Sequence, residues 1–154
     1  MVEASVEGVE TEGTTNVVVL RAGDSLVAVD ALDVVEIVLR GHVTRVPYSP
    51  EHFLGLCVVA GRLIPVFSLR VLLGVEPGPP AVTLPRLVIF KDDEHDIAFS
   101  CEEARGVVAL KVDDTLLGRP FERGSGMIED KAVSLLDTDA LLREAMVHTY
   151  EGER

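Results

Sequence analysis

The sequence predicts a mainly β protein with two small lobes, and three observations support this fold class. The 154-residue chain contains 25 Val, 19 Leu and 5 Ile, but only 5 Phe, 2 Tyr and no Trp. This composition favours β-strands packed on aliphatic side chains. The apolar residues also fall in short runs separated by turn signals. Finally, the two halves of the chain contain similar segments, which indicates an internal duplication.

The first half is predicted to form two hairpins joined by a bent strand. Asn16–Arg21 and Leu26–Asp30 flank a turn and form the first hairpin. Ala31–Arg40 fits a helical face through some of its Leu and Val residues, but its β-branched residues favour a strand with a bend. Phe53–Ala60 and Arg62–Phe67 form the second hairpin.

A short helix is predicted directly after the second hairpin. Ser68 can cap its N-terminus, the helix spans Leu69–Leu73, and Gly74 ends it. Two proline-containing segments flank this unit, a loop at Val46–Pro50 and a stiff connector at Glu76–Pro85.

The second half is predicted to repeat this order. The predicted strands are Leu87–Lys91, Asp96–Cys101, Val107–Val112, Met127–Ile128 and Ala132–Leu136. Asp92–His95 is predicted to be a polar turn, and Pro120–Gly126 is predicted to be a loop. Asp137 caps a helix that runs to about Met146.

The duplication is strongest in the strand–turn–strand–helix units that open at Gly55 and Gly126. Both units end in a Leu-Leu pair, and the strand Leu26–Asp30 resembles Ile97–Cys101. Two lobes of about 70 residues are each too small to bury a core well. We therefore expect them to share an apolar interface, with a groove between them as a docking site.

The net charge of −12 excludes several classes of partner. Nucleic acids and anionic membrane surfaces both require a cationic footprint. The segment 1–15 carries four Glu and no basic residue, and it is predicted to be a disordered acidic leader, while 148–154 is a polar tail. With no secretory signal pattern and no apolar run of 18 residues, the chain is expected to be a cytoplasmic protein without membrane insertion.

No catalytic, metal-binding or cofactor-binding motif stands out. The four histidines (His42, His52, His95 and His148) lie in polar or turn contexts and are expected to face solvent. Gly124-Ser125-Gly126 resembles a nucleophile elbow only superficially and is assigned to a loop. Cys57 and Cys101 are interpreted as buried thiols, and the sequence does not exclude a disulfide between them. These observations favour a binding module, and a small metal-dependent enzyme centred on His95 is the alternative.

The stretch Val43–Val75 resembles the CheW-like domain family of bacterial chemotaxis. Residues at matching positions are Thr44, Val46, Pro47, Gly55, Gly61, Pro65, Leu69, Arg70 and Gly74. The resemblance implies two five-stranded, SH3-like β-barrel lobes that share a hydrophobic core, with short helices, over residues 16–147. Three departures from the family pattern are Ala60 where an Arg is expected, Ser68 in place of an acid, and Cys101–Ala104 in place of a V-D-x-V step.

The resemblance also implies a function. Family members are non-enzymatic cytoplasmic adaptors that link the signalling tips of methyl-accepting chemoreceptors to the regulatory domain of a CheA-type histidine kinase, in chemoreceptor arrays. A divergent member could instead regulate a different kinase or motility system.

The partner-binding residues implied by the resemblance are Glu36, Ala60, Gly61, Arg62 and Arg70. For Arg70, a structural salt bridge is expected over a partner contact. Alternation along the second hairpin predicts that Leu56, Val58, Ile64 and Val66 share one face, which would contribute to an aliphatic groove.

Overall fold

The computed structural model describes residues 13–75, 85–92 and 95–152, and these form eleven strands, two α-helices and one 3₁₀ turn. The strands are β1 (Thr14–Ala22), β2 (Ser25–Asp30), β3 (Val34–Leu39), β4 (Val43–Thr44), β5 (Phe53–Val59), β6 (Arg62–Ser68), β7 (Arg86–Asp92), β8 (His95–Cys101), β9 (Glu103–Lys111), β10 (Glu122–Ile128) and β11 (Lys131–Leu136). The helices are α1 (Leu69–Leu73) and α2 (Thr138–Gly152), and the 3₁₀ turn is Ala31–Asp33. The bent strand predicted over Ala31–Arg40 is thus a 3₁₀ turn followed by the strand β3.

The strands form two sheets, which confirms the mainly β, two-lobed prediction. One sheet has the order β9-β1-β2-β11-β10 and the other β3-β7-β8-β6-β5-β4. The second sheet comes from one stretch, Val34–Cys101, which we call the continuous lobe. The first sheet takes its strands from both sides of that stretch, and we call it the split lobe.

The duplication predicted from the sequence is present, but each lobe mixes the two repeats. The elements β1, β2, β3, β5, β6 and α1 correspond in order to β7, β8, β9, β10, β11 and α2. With this correspondence the two sheets have the same strand order apart from β4. The expectation that each half of the chain forms its own lobe is wrong, because each lobe joins the first hairpin of one repeat to the later strands of the other.

Four strand pairs join the two repeats: the antiparallel pairs β1 with β9 and β3 with β7, and two parallel pairs. In the split lobe, β2 pairs with β11, with Val27 opposite Ser134. In the continuous lobe, β8 pairs with β6, with Ala98 opposite Val66. Every other pairing in the two sheets is antiparallel. The two repeats are therefore held together by backbone hydrogen bonds as well as by side-chain packing.

The described residues form three apolar clusters, one inside each lobe and a larger one between them. Alternate residues of β1 enter different clusters: Val17 and Val19 belong to the split-lobe core, whereas Val18 and Leu20 belong to the shared core. Strands buried on both faces are apolar at nearly every position. This explains the unbroken Val-rich runs and confirms the predicted shared core.

Aromatic rings and one histidine pack in the shared core. Phe67 contacts the rings of Phe53, Phe99 and His52. Nε2 of His52 lies 3.1 Å from the carbonyl oxygen of Ala145 in α2. The prediction that the histidines face solvent is wrong for His52, because this ring fills the space between the continuous lobe and α2.

Both helices begin as predicted. The Ser68 hydroxyl accepts a hydrogen bond from the Val71 N–H, and the Asp137 carboxylate accepts one from the Ala140 N–H, both at 3.1 Å. Gly74 ends α1 with a left-handed backbone (φ 68°). The second helix continues to Gly152, beyond the predicted end at Met146 and into the predicted polar tail.

In each lobe, a glycine at a register shift allows a neighbouring segment to cross closely over a strand. A Cβ on Gly55 (φ 138°) would lie 2.1 Å from the Thr44 carbonyl oxygen, and one on Gly124 would lie 2.8 Å from that of Asp113. The strand pairing shifts register at both glycines. The prediction of a loop over Pro120–Gly126 is therefore wrong from Glu122 onward. The glycines of this segment lie in a strand, where they allow another part of the backbone to approach closely.

Several predictions concern residues outside the described part of the chain. Residues 1–12 of the acidic leader lie there, whereas Thr14 already belongs to β1. Residues 76–84 of the stiff connector and 93–94 of the polar turn also lie there, as do the last two residues of the tail.

Replacing Gly55 should test the close crossing. Gly55→Ala is expected to lower the free energy of unfolding by about 3 kcal/mol or more, because its Cβ would overlap backbone that cannot move freely. In the matched control Gly106→Ala, a Cβ meets nothing within 4 Å, so a change within about 1 kcal/mol is expected. Urea unfolding of both variants measures the difference, and equal losses would contradict this account.

The two thiols should be inert in the folded protein. Cys57 and Cys101 are both free and buried, as the sequence predicts. Burial is the main cause that raises the pKa of the Cys101 thiol to about 12, and the thiolate is the reactive species. We expect no reaction with a disulfide reagent such as DTNB at pH 8, and reaction of both thiols in denaturant. Rapid labelling of the folded protein would show that the buried strands open readily.

Candidate functional site

The β5–β6 hairpin places the predicted residues Ala60 and Gly61 at an exposed turn. Both adopt positive φ, 50° and 80°, which suits the tight two-residue turns that join antiparallel strands. The corresponding turn of the split lobe, Glu129-Asp130, has similar angles of 51° and 69°. Ala60 thus keeps the turn geometry although it lacks the side chain that the family pattern leads one to expect.

The outer side of this hairpin is aliphatic, and we call it the hairpin face: Leu56, Val58, Leu63 and Pro65. Val58 lies opposite Leu63, and Leu56 lies opposite Pro65. Val58 and Leu63 are 64% and 65% exposed. A shallow concavity of about 350 Å³ adjoins this face and is also lined by His42 and Thr44.

The predicted composition of the face is wrong for two of its four residues. Ile64 and Val66 are buried in the core of the continuous lobe. The two-residue turn places Val59 opposite Arg62, so even-numbered residues of β5 share a side with odd-numbered residues of β6. Leu56 and Val58 therefore lie on the outer side and Ile64 and Val66 on the inner side.

The equivalent side of the split lobe differs at two of its four positions, because Met127 and Ala132 are also apolar and exposed there. Its corresponding residues are Ser125, Met127, Ala132 and Ser134. Both serines are buried, and the Ser125 hydroxyl donates to the Thr115 carbonyl oxygen at 2.7 Å. Ser125 is thus committed to a structural hydrogen bond. Because the duplication supplies the comparison, the feature specific to the continuous lobe is the aliphatic pair Leu56 and Pro65, which extends the hairpin face where the split lobe has serines.

An ionic cluster lies at one end of the hairpin face. Arg62 is bonded through Nη2 to Glu36 Oε1 at 3.0 Å, and through Nη1 to Asp96 Oδ2. The side chains of Arg62, Glu36 and Asp96 are 43%, 41% and 13% exposed. The structure therefore brings together two of the three charged residues predicted from sequence, Glu36 and Arg62, and adds Asp96.

Asp96 was missed because its neighbour is distant in sequence. Arg62 begins β6 and Asp96 lies near the start of β8, and these strands are parallel neighbours. Only knowledge of that pairing would have joined the two residues. The counterparts of the three charged residues in the split lobe are Gly106, Lys131 and Leu26, which cannot form such a cluster.

Arg70 does not join this group as a partner-facing residue. It is buried in α1, and its Nη1 has no hydrogen-bond partner. The salt bridge expected for it is not observed among the described residues. Its carbonyl oxygen accepts the Val75 N–H at 3.0 Å, which helps to end the helix.

A larger groove borders the ionic cluster on the other side. It has a volume of about 580 Å³, and its lining combines Arg62, Lys91, His95 and Asp96 with the apolar residues Leu63, Ile64, Pro65, Ile97 and Met146. Met146 comes from α2, so this groove joins the continuous lobe to the terminal helix. His95 is exposed, and its neighbour Asp96 is bonded to Arg62 and not to the histidine.

In the split lobe, one carboxylate fixes the segment 115–119, which covers part of the equivalent hairpin and which we call the covering segment. Glu122 accepts hydrogen bonds from the N–H groups of Leu117, Gly118 and Arg119 and from the Ser134 hydroxyl, at 2.8 to 3.1 Å. Burial raises the pKa of this carboxyl, but the hydrogen bonds outweigh burial and hold the pKa below its usual value. The covering segment is thus pinned at neutral pH.

The fold and these surfaces together define a protein-binding module. No group of three or more His, Cys, Asp and Glu in the described residues could hold a metal ion. In the same part of the chain, no helix has the length and apolarity needed to cross a membrane. An open aliphatic face beside a fixed ionic cluster is instead suited to contact with another protein.

Comparisons with known proteins identify the family. The CheW-like domain model matches residues 16–146, so the chain belongs to the CheW-like domain family. It is 25% identical over 142 residues to a probable chemotaxis protein CheW of Rhizobium etli, with 86% of this chain and 90% of that protein covered. The crystal structure of the scaffolding protein TtCheW from Thermoanaerobacter tengcongensis matches with a TM-score of 0.69 at 20% identity, covering 80% of this chain and 88% of that one.

Removing the Glu122 charge should weaken the split lobe in a pH-dependent way. Its lowered pKa means that the carboxylate stabilises the fold above the unfolded value of about 4.3, and that this contribution is lost as pH falls through the folded value. Glu122→Gln should cost about 1 kcal/mol at pH 7 after allowance for solvent screening. The difference from the unsubstituted protein should shrink below pH 4.

Urea unfolding between pH 7 and pH 3 measures this difference. Glu51→Gln, at an exposed position of the loop before β5, is the control and should change stability little at any pH. A constant difference between Glu122→Gln and the unsubstituted protein across this range would contradict the assigned role.

Proposed function

We propose that this chain is a non-enzymatic chemotaxis adaptor that couples methyl-accepting chemoreceptors to the regulatory domain of a CheA-type histidine kinase. The observation that carries the proposal is the exposed hairpin face beside the ionic cluster, on the fold of the CheW-like family. In the split lobe, two of the four equivalent positions are buried serines, so the continuous aliphatic face favours a binding role for one lobe.

The chemistry of the hairpin face suits an aliphatic partner. Val58 and Leu63 are large apolar residues that water contacts over most of their surface. Burying each 100 Å² of such surface contributes roughly 2.5 kcal/mol before the cost of association. The signalling tip of a receptor helical hairpin, which presents apolar side chains, is therefore a suitable partner.

The residues implied by the family resemblance take different parts in this proposal. Arg62 provides the exposed charge next to the hairpin face, and Glu36 contributes by its bond to Arg62. Ala60 and Gly61 shape the turn that presents both. Arg70 contributes to the packing of α1 and not to partner contact, because its side chain is buried.

We place the adaptor in the cytoplasm, recruited to chemoreceptor arrays by its partners. The strong negative charge favours protein partners over nucleic acid or an anionic lipid surface. Array recruitment then follows from receptor and kinase binding and needs no membrane insertion.

One departure supports a second candidate function. Ala60 removes the arginine that the family pattern places in this turn, and Arg62 places a guanidinium two residues further on. A partner surface matched to the usual position would meet a different charge pattern here. The second candidate is a CheW-fold regulator of a different kinase or motility system, with the same hairpin face engaged.

Substitution on the hairpin face tests the proposal with an internal control. Val58→Asp should weaken binding to a receptor signalling fragment or to the kinase regulatory domain at least tenfold, about 1.4 kcal/mol, because it places a charge in the contact. Met127→Asp at the equivalent split-lobe position, 61% exposed, should change affinity less than about twofold. Calorimetric titration with purified partners from the same organism measures both.

Thermal unfolding of the two variants verifies that neither substitution acts by unfolding the protein. If the unsubstituted protein binds neither partner at tens of micromolar, chemoreceptor coupling is wrong. Binding to a different sensory kinase with the same loss in Val58→Asp would support the second candidate.

A further inference from the structure

Arg62 is shared between two carboxylates that hold it unequally. Asp96 is largely buried, whereas Glu36 is exposed to a similar degree as Arg62 itself. An ion pair shielded from solvent is screened less than an exposed one, and an exposed pair adds little to stability. The guanidinium is therefore fixed mainly by Asp96, and its contact with Glu36 is the weaker of the two.

The geometry separates the two contacts. Asp96 is bonded to Nη1 and Glu36 to Nη2, so one can be replaced without loss of the other. Asp96 and Arg62 lie on neighbouring parallel strands, β8 and β6. Glu36 lies on β3, at the far edge of the same sheet, and no strand pairing ties it to Arg62.

We propose that a carboxylate of the partner takes the place of Glu36 on Nη2 of Arg62, while Asp96 keeps the guanidinium in position. In the free protein, Glu36 then occupies the position on Arg62 that the partner's carboxylate takes in the complex. Asp96 is a positioning residue. This inference rests on the proposed adaptor function and specifies the chemistry of its contact.

The surroundings define the chemistry of the group that displaces Glu36. Leu63 is adjacent to Arg62 in sequence, and Val58 lies opposite Leu63 on the hairpin face. A matching partner surface presents one Asp or Glu beside aliphatic side chains, as an amphipathic helix does. In a chain of net charge −12, the Arg62 guanidinium held by Asp96 supplies the local positive charge that an acid of the partner requires.

Two substitutions with the same change in charge test this proposal. Glu36→Gln and Asp96→Asn each remove one negative charge. We expect Glu36→Gln to tighten binding of a receptor signalling fragment or the kinase regulatory domain about threefold or more, because Arg62 is freed for the partner. Asp96→Asn should weaken the same binding about tenfold, because the guanidinium is no longer held in place.

The opposite signs separate the proposal from a general effect of charge. Reduced repulsion between two acidic proteins would tighten binding of both variants alike. That result would contradict the proposed exchange of Glu36 for a partner carboxylate. Weaker binding of Glu36→Gln would also overturn it, since Glu36 would then contact the partner directly. Self-association of Glu36→Gln in sedimentation experiments would identify a second copy as the occupant and would likewise contradict the proposal.

NMR of the free protein tests the positioning role without any partner. The Nε–H order parameter of Arg62 should remain high in Glu36→Gln and fall in Asp96→Asn. Equal mobility in both variants would overturn the role of Asp96. If the unsubstituted protein binds neither partner, the adaptor function and the exchange both fail, whereas the NMR result still decides whether Asp96 holds Arg62.

Discussion

The strand pairs that join the two repeats, among them the parallel pairs β2 with β11 and β6 with β8, are the constraint on which the rest of the structure depends. Each pair joins strands from different repeats, so neither sheet can close within one repeat. The exchange buries β1, β2, β7 and β8 on both faces and creates the large shared core. A chain with few aromatic residues thereby fills three apolar layers with aliphatic side chains and a small set of Phe rings.

The duplication also explains why one lobe can specialise. Both hairpins use the same turn geometry, and both carry a glycine beneath a crossing segment. In the split lobe, Glu122 pins a covering segment over two buried serines. In the continuous lobe the equivalent surface remains aliphatic and open, and the ionic cluster marks its edge. The shared scaffold supplies the stability, and differences at a few surface positions supply the contact.

Local chemistry made much of the fold predictable, and non-local pairing accounts for most of what was missed. The caps at Ser68 and Asp137 and the stop at Gly74 follow from residue type and spacing. The hairpin face was misassigned because its register depends on a two-residue turn. Asp96 was missed because parallel neighbours such as β6 and β8 leave no mark in sequence. Pro120–Gly126 was read as a loop because glycine for close approach and glycine for a turn look alike.

The exchanged hairpins carry a consequence for the ancestry of the fold. A chain with a single repeat holds only part of the strands of each lobe, so it could complete both sheets only by exchanging hairpins with a second copy of itself. Joining two repeats in one chain turns that dimer into a monomer and raises the effective concentration of each half for the other. Once joined, the two halves no longer have to be identical, and one hairpin can diverge toward a partner while the other preserves the scaffold.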